Sequence, residues 1–276
     1  MFFKTSENRS YYLIFFLGLL FFFSPLSAQD EKDPKYLDKK LALLKAAQDP
    51  LDNMYSVPLQ HNFNFGYGNN KEMQYILNIE PIIPFSLPGN WLFINRSILS
   101  VISQPIPKKK FGLGDLITSF YFVPPRLKHF GCALGPIFQF PTATDEILGS
   151  EKLSIGPTAA FIYTKGHFLF GTLYYNLSSV AGRKSRKHVN VMTLQPFYYY
   201  NLPNEWYIVS APIIKANWRE TKNNVWLVPL GGGFGKLLDC NNQFINLNLA
   251  VYYNIKRPQF REKWTFRFVT EYLFPK

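Results

Sequence analysis

Cysteine is almost absent from the 276 residues: only Cys132 and Cys240 are present, beside four histidines. Two cysteines cannot build the disulfide framework of small secreted domains, and neither has a neighbouring ligand at metal-binding spacing. Charge is also scarce at 17% of residues, with Asp and Glu numbering 18 against 30 Lys and Arg. This composition excludes acidic tails and the disordered class. Long apolar runs are missing as well, since the longest, Tyr11 to Phe23, has thirteen residues. A membrane-spanning helix needs about 20, so a polytopic helical protein is excluded. What the chain has in excess is aromatic side chains, 18% of residues, at a mean hydropathy of -0.08. A wall with one oily face and one wet face has that balance.

Met1 to Ala28 has the parts of a secretory signal: Lys4 and Arg9, the apolar run, then Ser24-Pro25-Leu26-Ser27-Ala28. Cleavage is expected after Ala28. Residues 29–53 follow as a second segment, where Asp33-Pro34 caps a helix with Leu37, Leu41 and Leu44 on one face and Asp49-Pro50 ends it. The helix is expected either to lie against a barrel rim or to enter the lumen as a plug.

Residues 54–276 change period. Apolar alternation recurs in twelve segments separated by Gly, Pro, Asn and Lys clusters: Met54–Tyr67, Met73–Phe85, Trp91–Ser103, Phe111–Val123, Phe130–Phe140, Leu153–Tyr163, His167–Leu177, Val189–Tyr200, Trp206–Asn217, Val225–Gly235, Phe244–Ile255 and Trp264–Phe274. Their length fits strands that cross a bilayer at a tilt better than the five or six residues usual in soluble sheets. The expected fold is all-β, a transmembrane antiparallel up-and-down barrel of about twelve strands with a short N-terminal amphipathic helix. On this map the cysteines lie on non-neighbouring strands, so no bridge between them is expected.

Alternation assigns the faces. In the last segment Trp264, Phe266, Phe268, Tyr272 and Phe274 share the oily side; such a closing strand is what the barrel-assembly machinery reads, although Pro275 and Lys276 follow Phe274 here. Arg267 and Glu271 point the other way, into the lumen. Gln60, Asn62, Asn64, Gln74, Asn78, Glu80 and Asp115 take the inward parity of their strands, while His61 takes the lipid side. The third and ninth segments alternate poorly, and there the facing rests on putting Arg96 and Lys215 inside. The candidate constriction is therefore Glu80, Arg96, Asp115, Lys215, Arg267 and Glu271, with Glu80 and Arg96 facing each other as an ion pair or as part of a charge filter.

The odd-numbered connections are long and the even ones tight, the loop pattern of bacterial outer-membrane barrels. Basic residues gather in the long ones: Lys108, Lys109, Lys110, Arg183, Lys184, Arg186 and Lys187. This basic rim reads either as loops lying among outer-membrane lipid and lipopolysaccharide phosphates or as a mouth that concentrates anionic solutes. Nucleic acid is not an expected partner. No Gly-x-Ser-x-Gly is present, none of the histidines (His61, His129, His167, His188) is set beside a serine as a base, and Gly231 to Gly235 is followed by no helix. No enzyme activity, metal or cofactor is expected.

Several motifs occur in order: Leu44-Lys-Ala-Ala-Gln-Asp-Pro50, Asn78-Ile-Glu-Pro-Ile-Ile-Pro-Phe85, Ser100-Val-Ile-Ser-Gln-Pro105, Gly112-Leu-Gly-Asp115, Pro141-Thr-Ala-Thr-Asp-Glu146, Pro229-Leu-Gly-Gly-Gly-Phe-Gly235 and Phe274-Pro275. Together they resemble a bacterial outer-membrane transporter family related to the outer-membrane proteins of the phenol-degradation meta pathway, whose members are often misnamed after neuromedin U. The resemblance covers roughly Leu41 to Lys276. It implies an outer-membrane barrel of twelve or so strands and an uptake role, implies no particular substrate and maps no functional residue; passage of small solutes, anionic or aromatic, through a polar lumen is the expected function. A structural or adhesive surface barrel is the competing reading, and a barrel-embedded lipid hydrolase a weaker one.

Overall fold

The computed structural model describes residues 34–240 and 243–275. The signal segment Met1–Ala28 lies outside the described residues. The chain divides into two compact units, Met1–Lys39 and Lys40–Lys276. The described part of the first is the opening of helix α1, Pro34–Gln48; everything below concerns the second. No described helix is long and apolar enough to cross a membrane.

Twelve strands follow: β1 Tyr55–Tyr67, β2 Glu72–Ile79 continued by Ile82–Leu87, β3 Trp91–Gln104, and β4 Lys110–Leu113 continued by Leu116–Val123. Next come β5 Phe130–Phe140, β6 Lys152–Lys165, β7 Phe168–Gly182, β8 Asn190–Asn201, and β9 Trp206–Ser210 continued by Ile214–Asn217. β10 Trp226–Cys240, β11 Gln243–Lys256 and β12 Trp264–Phe274 complete the set. Each strand pairs antiparallel with the next. β12 returns to β1 from Tyr55↔Phe274 to Phe65↔Trp264, closing the barrel and leaving no sheet edge. Residues 141–151, 183–189, 218–225 and 257–263 make long connections at one end, here the loop end. The connections at the other, the helix end, are mostly tight, such as 88–90 and 166–167.

The faces follow the pleat. Trp264, Tyr272 and Phe274 are exposed outward, whereas Arg267 and Glu271 between them are buried inward. Outward aromatics stack between neighbouring strands, as in Phe168 against Tyr200 at 4.7 Å and Phe130 against Tyr163 at 4.8 Å. His61 lies in this outer layer, with Nδ1 2.8 Å from the Tyr75 hydroxyl and its ring against Phe268. Cys132 and Cys240 are free.

Three strands are interrupted, at residues 80–81, 114–115 and 211–213. Pro81 and Pro212 supply no N–H to the ladder, which explains two of the breaks. The glycine run of β10 is a close approach: a Cβ on Gly235 would stand 2.2 Å from the Tyr207 ring, so that ring lies flat on the wall. Tyr207 then donates to Asn246 Oδ1 at 2.7 Å, two strands away.

The interior core sits at the helix end. Leu43, Leu44, Leu51 and Met54 pack with Ile94, Tyr121, Val123, Ile162, Leu169, Phe197, Tyr207 and Leu273 from around the barrel wall. Leu44 and Leu51 have no exposed surface. The end of α1 and the turn after it, here called the plug, pack among these wall side chains.

Candidate functional site: the lumen

The plug is fixed by polar contacts as well as by its leucines. The Gln48 and Asn201 amides exchange two hydrogen bonds, at 2.7 and 3.1 Å, in a buried setting. Asp49 accepts from the backbone N–H of Leu51 at 2.9 Å and pairs with Arg126 at 2.5 Å. Lys40 lies 4.0 Å from Glu205. Asp52, beside this cluster and outside the strands, has its carboxyl pushed above the ordinary value of 3.8, first by burial and then by Asp49.

Above the plug lies a small cavity of about 140 Å³, lined by Gln48, Asp49, Asp52, Glu80, Arg96, Arg267 and Glu271. Toward the loops a larger one, about 290 Å³, is lined by Asn62, Asn64, Asn78, Lys215, Arg261 and Glu262 among others. Gln60, Glu80, Arg96, Gln195, Tyr252 and Arg267 line both cavities, so they form the layer between an upper and a lower chamber.

That layer is built from strand breaks and inward parity. Glu80 stands at the break in β2, and Arg96 on β3 donates from Nη2 to Glu80 Oε2 at 2.5 Å. Arg267 on β12 donates from Nε to Asn62 Oδ1 at 3.2 Å and from Nη1 to the Ala211 carbonyl at 2.7 Å, which the break in β9 frees. Its guanidinium lies 4.7 Å from the Tyr252 ring centre, a cation–π contact. Glu271, below, accepts from Asn246 Nδ2 at 3.0 Å and bonds Ser56. Above, an amide chain joins four strands: Thr265 Oγ1 donates to Asn64 Oδ1 at 2.8 Å, Asn64 to Gln74 Oε1 at 2.9 Å, and Gln74 to Gln104.

Of the six sequence-predicted constriction residues, Glu80, Arg96, Arg267 and Glu271 come together around the layer, and Lys215 faces the upper chamber. Asp115 is elsewhere: it lines neither chamber. Its carboxylate accepts from Gln139 Nε2 at 2.8 Å, from Ser150 N and Oγ at 2.7 Å each, and from Ala143 N at 3.2 Å. The constriction role is therefore corrected at Asp115 to one of folding the loop 141–151, because the break at Gly114-Asp115 puts its side chain within reach of that loop's free N–H groups.

The basic rim is largely stitched to acids of adjacent loops. Lys110 meets Asp145 at 2.5 Å, Arg183 and Arg186 meet Glu151 at 3.1 and 3.2 Å, and Lys187 is 3.9 Å from Glu220. The Lys110 ammonium first, then the Ile147 N–H, holds the Asp145 carboxyl below its ordinary value. Lys108, Lys109 and Lys184 belong to the same rim. Sequence reasoning did not find the Gln48–Asn201 exchange, the Asp49–Arg126 pair, or Arg261 and Glu262 as chamber residues. The first two carry no local signal, and the last two read as loop charges because they lie in a connection.

Among solved structures, a NanC porin in a rhombohedral crystal form matches 80% of this chain and 99% of its own at TM-score 0.53 and 9% identity. The fold is that of a porin-like outer-membrane barrel. CdiB from Acinetobacter baumannii matches 81% of this chain and 60% of its own at 10% identity, with a TM-score of 0.34, too low to carry weight. No protein-family model matches the chain, and no curated protein sequence matches it. At these identities the likeness shows the porin-like architecture and nothing about cargo.

Proposed function

We propose that this chain is a bacterial outer-membrane channel that passes small solutes through a polar lumen and is held shut by α1. The carrying observation is the pair of polar chambers stacked inside the barrel, with Leu44, Gln48 and Leu51 closing the helix end beneath them. A barrel serving only as a structural or adhesive surface needs no such lined interior. The transporter family that the sequence motifs resemble fits this reading.

A hydrolase reading finds little support. Ser179 Oγ lies 3.3 Å from His188 Nδ1, but it already accepts from Val189 N at 3.0 Å, and His188 has no other partner among the described residues. The base of a catalytic triad needs an orienting group on its second nitrogen.

The test is swelling of liposomes carrying the chain without Gln29–Gln48 in iso-osmotic sorbitol and in sodium gluconate. Swelling well above that of protein-free liposomes is expected. Swelling at the protein-free rate in both solutes would contradict passage.

A further inference from the structure

The two chambers differ in charge. The upper one presents Arg96, Lys215, Arg261 and Arg267 against Glu80 and Glu262. Arg96 is neutralised by Glu80, and Arg261 by Glu262 at 2.8 Å. Lys215 and Arg267 are left, and neither forms an ion pair with a described carboxylate. Lys215 makes no hydrogen bond to any described residue, opens to the chamber, and lies within the electrostatic reach of Arg261 first, then of Glu262 and of Arg267. Arg267 spends Nε and Nη1 on Asn62 and Ala211, and its Nη2 has no hydrogen bond to a described residue. Two like charges sharing a small cavity repel each other, and a bound anion removes that repulsion.

The neutral lining points to the rest of the ligand. Gln195, on the β8 wall, faces both chambers with no hydrogen bond to a described residue, so its amide can both donate and accept. Asn78 and Ser100 add polar groups, with Ser100 Oγ already given to Asn78 Oδ1 at 2.8 Å. The lower chamber carries the opposite balance: with Glu80 paired to Arg96 and Asp49 to Arg126, Asp52 and Glu271 remain against Arg267. An anion arriving from the loops is attracted as far as the dividing layer and opposed below it.

We infer that the upper chamber is a binding site for a small hydroxylated carboxylate, its carboxylate held between Lys215 and Arg267 and a hydroxyl by Gln195. This deepens the channel reading and rests on it for entry from the loop end. The opposed lower chamber makes this a resting site rather than a continuous path while α1 is seated.

The test is titration calorimetry of the full chain in detergent at low ionic strength, with gluconate as probe, sorbitol as its neutral counterpart and chloride as a simple anion. Gluconate is expected to bind, sorbitol not to bind, and chloride to compete weakly. Lys215→Met is expected to weaken gluconate at least tenfold, with Lys215→Arg close to the parent and Lys222→Met in the loops without effect. The heat-dependent gel shift of each variant reports that it is folded. Absent gluconate binding, equal binding of sorbitol, or a folded Lys215→Met variant that binds as before would overturn the site. Gluconate binding by a chain whose helix-deleted form swells no liposomes would overturn the channel and leave the site standing. Swelling without gluconate binding would do the reverse.

Discussion

Arg96 sits inside a barrel wall where an unpaired charge is costly, and the 2.5 Å contact with Glu80 is what makes it tolerable. Removing one partner of a buried pair commonly costs about 3–5 kcal/mol, whereas replacing both with neutral groups can be nearly neutral. Arg96→Met alone should therefore lower the temperature at which the folded band converts to the unfolded one on gels. Glu80→Gln with Arg96→Met should recover most of that loss. Equal losses in the single and double variants would show that the pair is not what the layer depends on. The pairing was legible in the sequence because Glu80 and Arg96 lie at similar heights above the tight turn joining β2 and β3, although the inward facing of Arg96 was assigned rather than read from alternation. Asp115 has the same inward parity, yet a strand break next to it redirects the side chain to a loop, which parity cannot report.

At the scale of elements, strands and loops were readable where alternation is clean, as in β11 and β12, and obscure in β3 and β9. The structure supplies the reason. At the helix end the inward positions are apolar, Ile94 on β3 and Tyr207 and Val209 on β9, because they meet the plug rather than water. On β3 the outward side also carries Asn95 and Ser97, which bond Thr118 of β4 at 2.8 and 3.0 Å and so satisfy one another at the lipid face. The docking of α1 had no periodic signal, since Gln48 and Asn201 are 153 positions apart.

The α1 seat is also where pH enters. Asp52 has a raised carboxyl pKa, so its stabilising contribution is complete below 3.8 and is lost as the pH rises through the raised value. Asp49, Lys45, Arg126, Lys128 and His129 line the same recess. As the pH is lowered from neutrality toward 3.8, the seat should tighten and the open time of the full chain should fall. Asp52→Asn should shrink that dependence; an unchanged pH profile in the variant would remove Asp52 from the account.

For the whole molecule, twelve strands closed by eleven residue pairs between β1 and β12 give a wall with aromatics outside and amides and charges inside. A barrel of this size has more interior than eight strands, which side chains fill, and less than the sixteen of an open pore. The space left over is divided by one charged layer and stopped by one helix. Burial of Leu44 alone is of the kind whose truncation to Ala costs about 2–5 kcal/mol, so the plug is a seated element rather than a loose tail. Closure of the channel depends on that seat. Single-channel recording in planar bilayers, comparing the full chain with the chain lacking Gln29–Gln48, tests it most directly. The full chain should be closed most of the time with brief openings, and the shortened chain should stay open with a larger steady conductance. Identical conductance and open time in the two would contradict closure by α1.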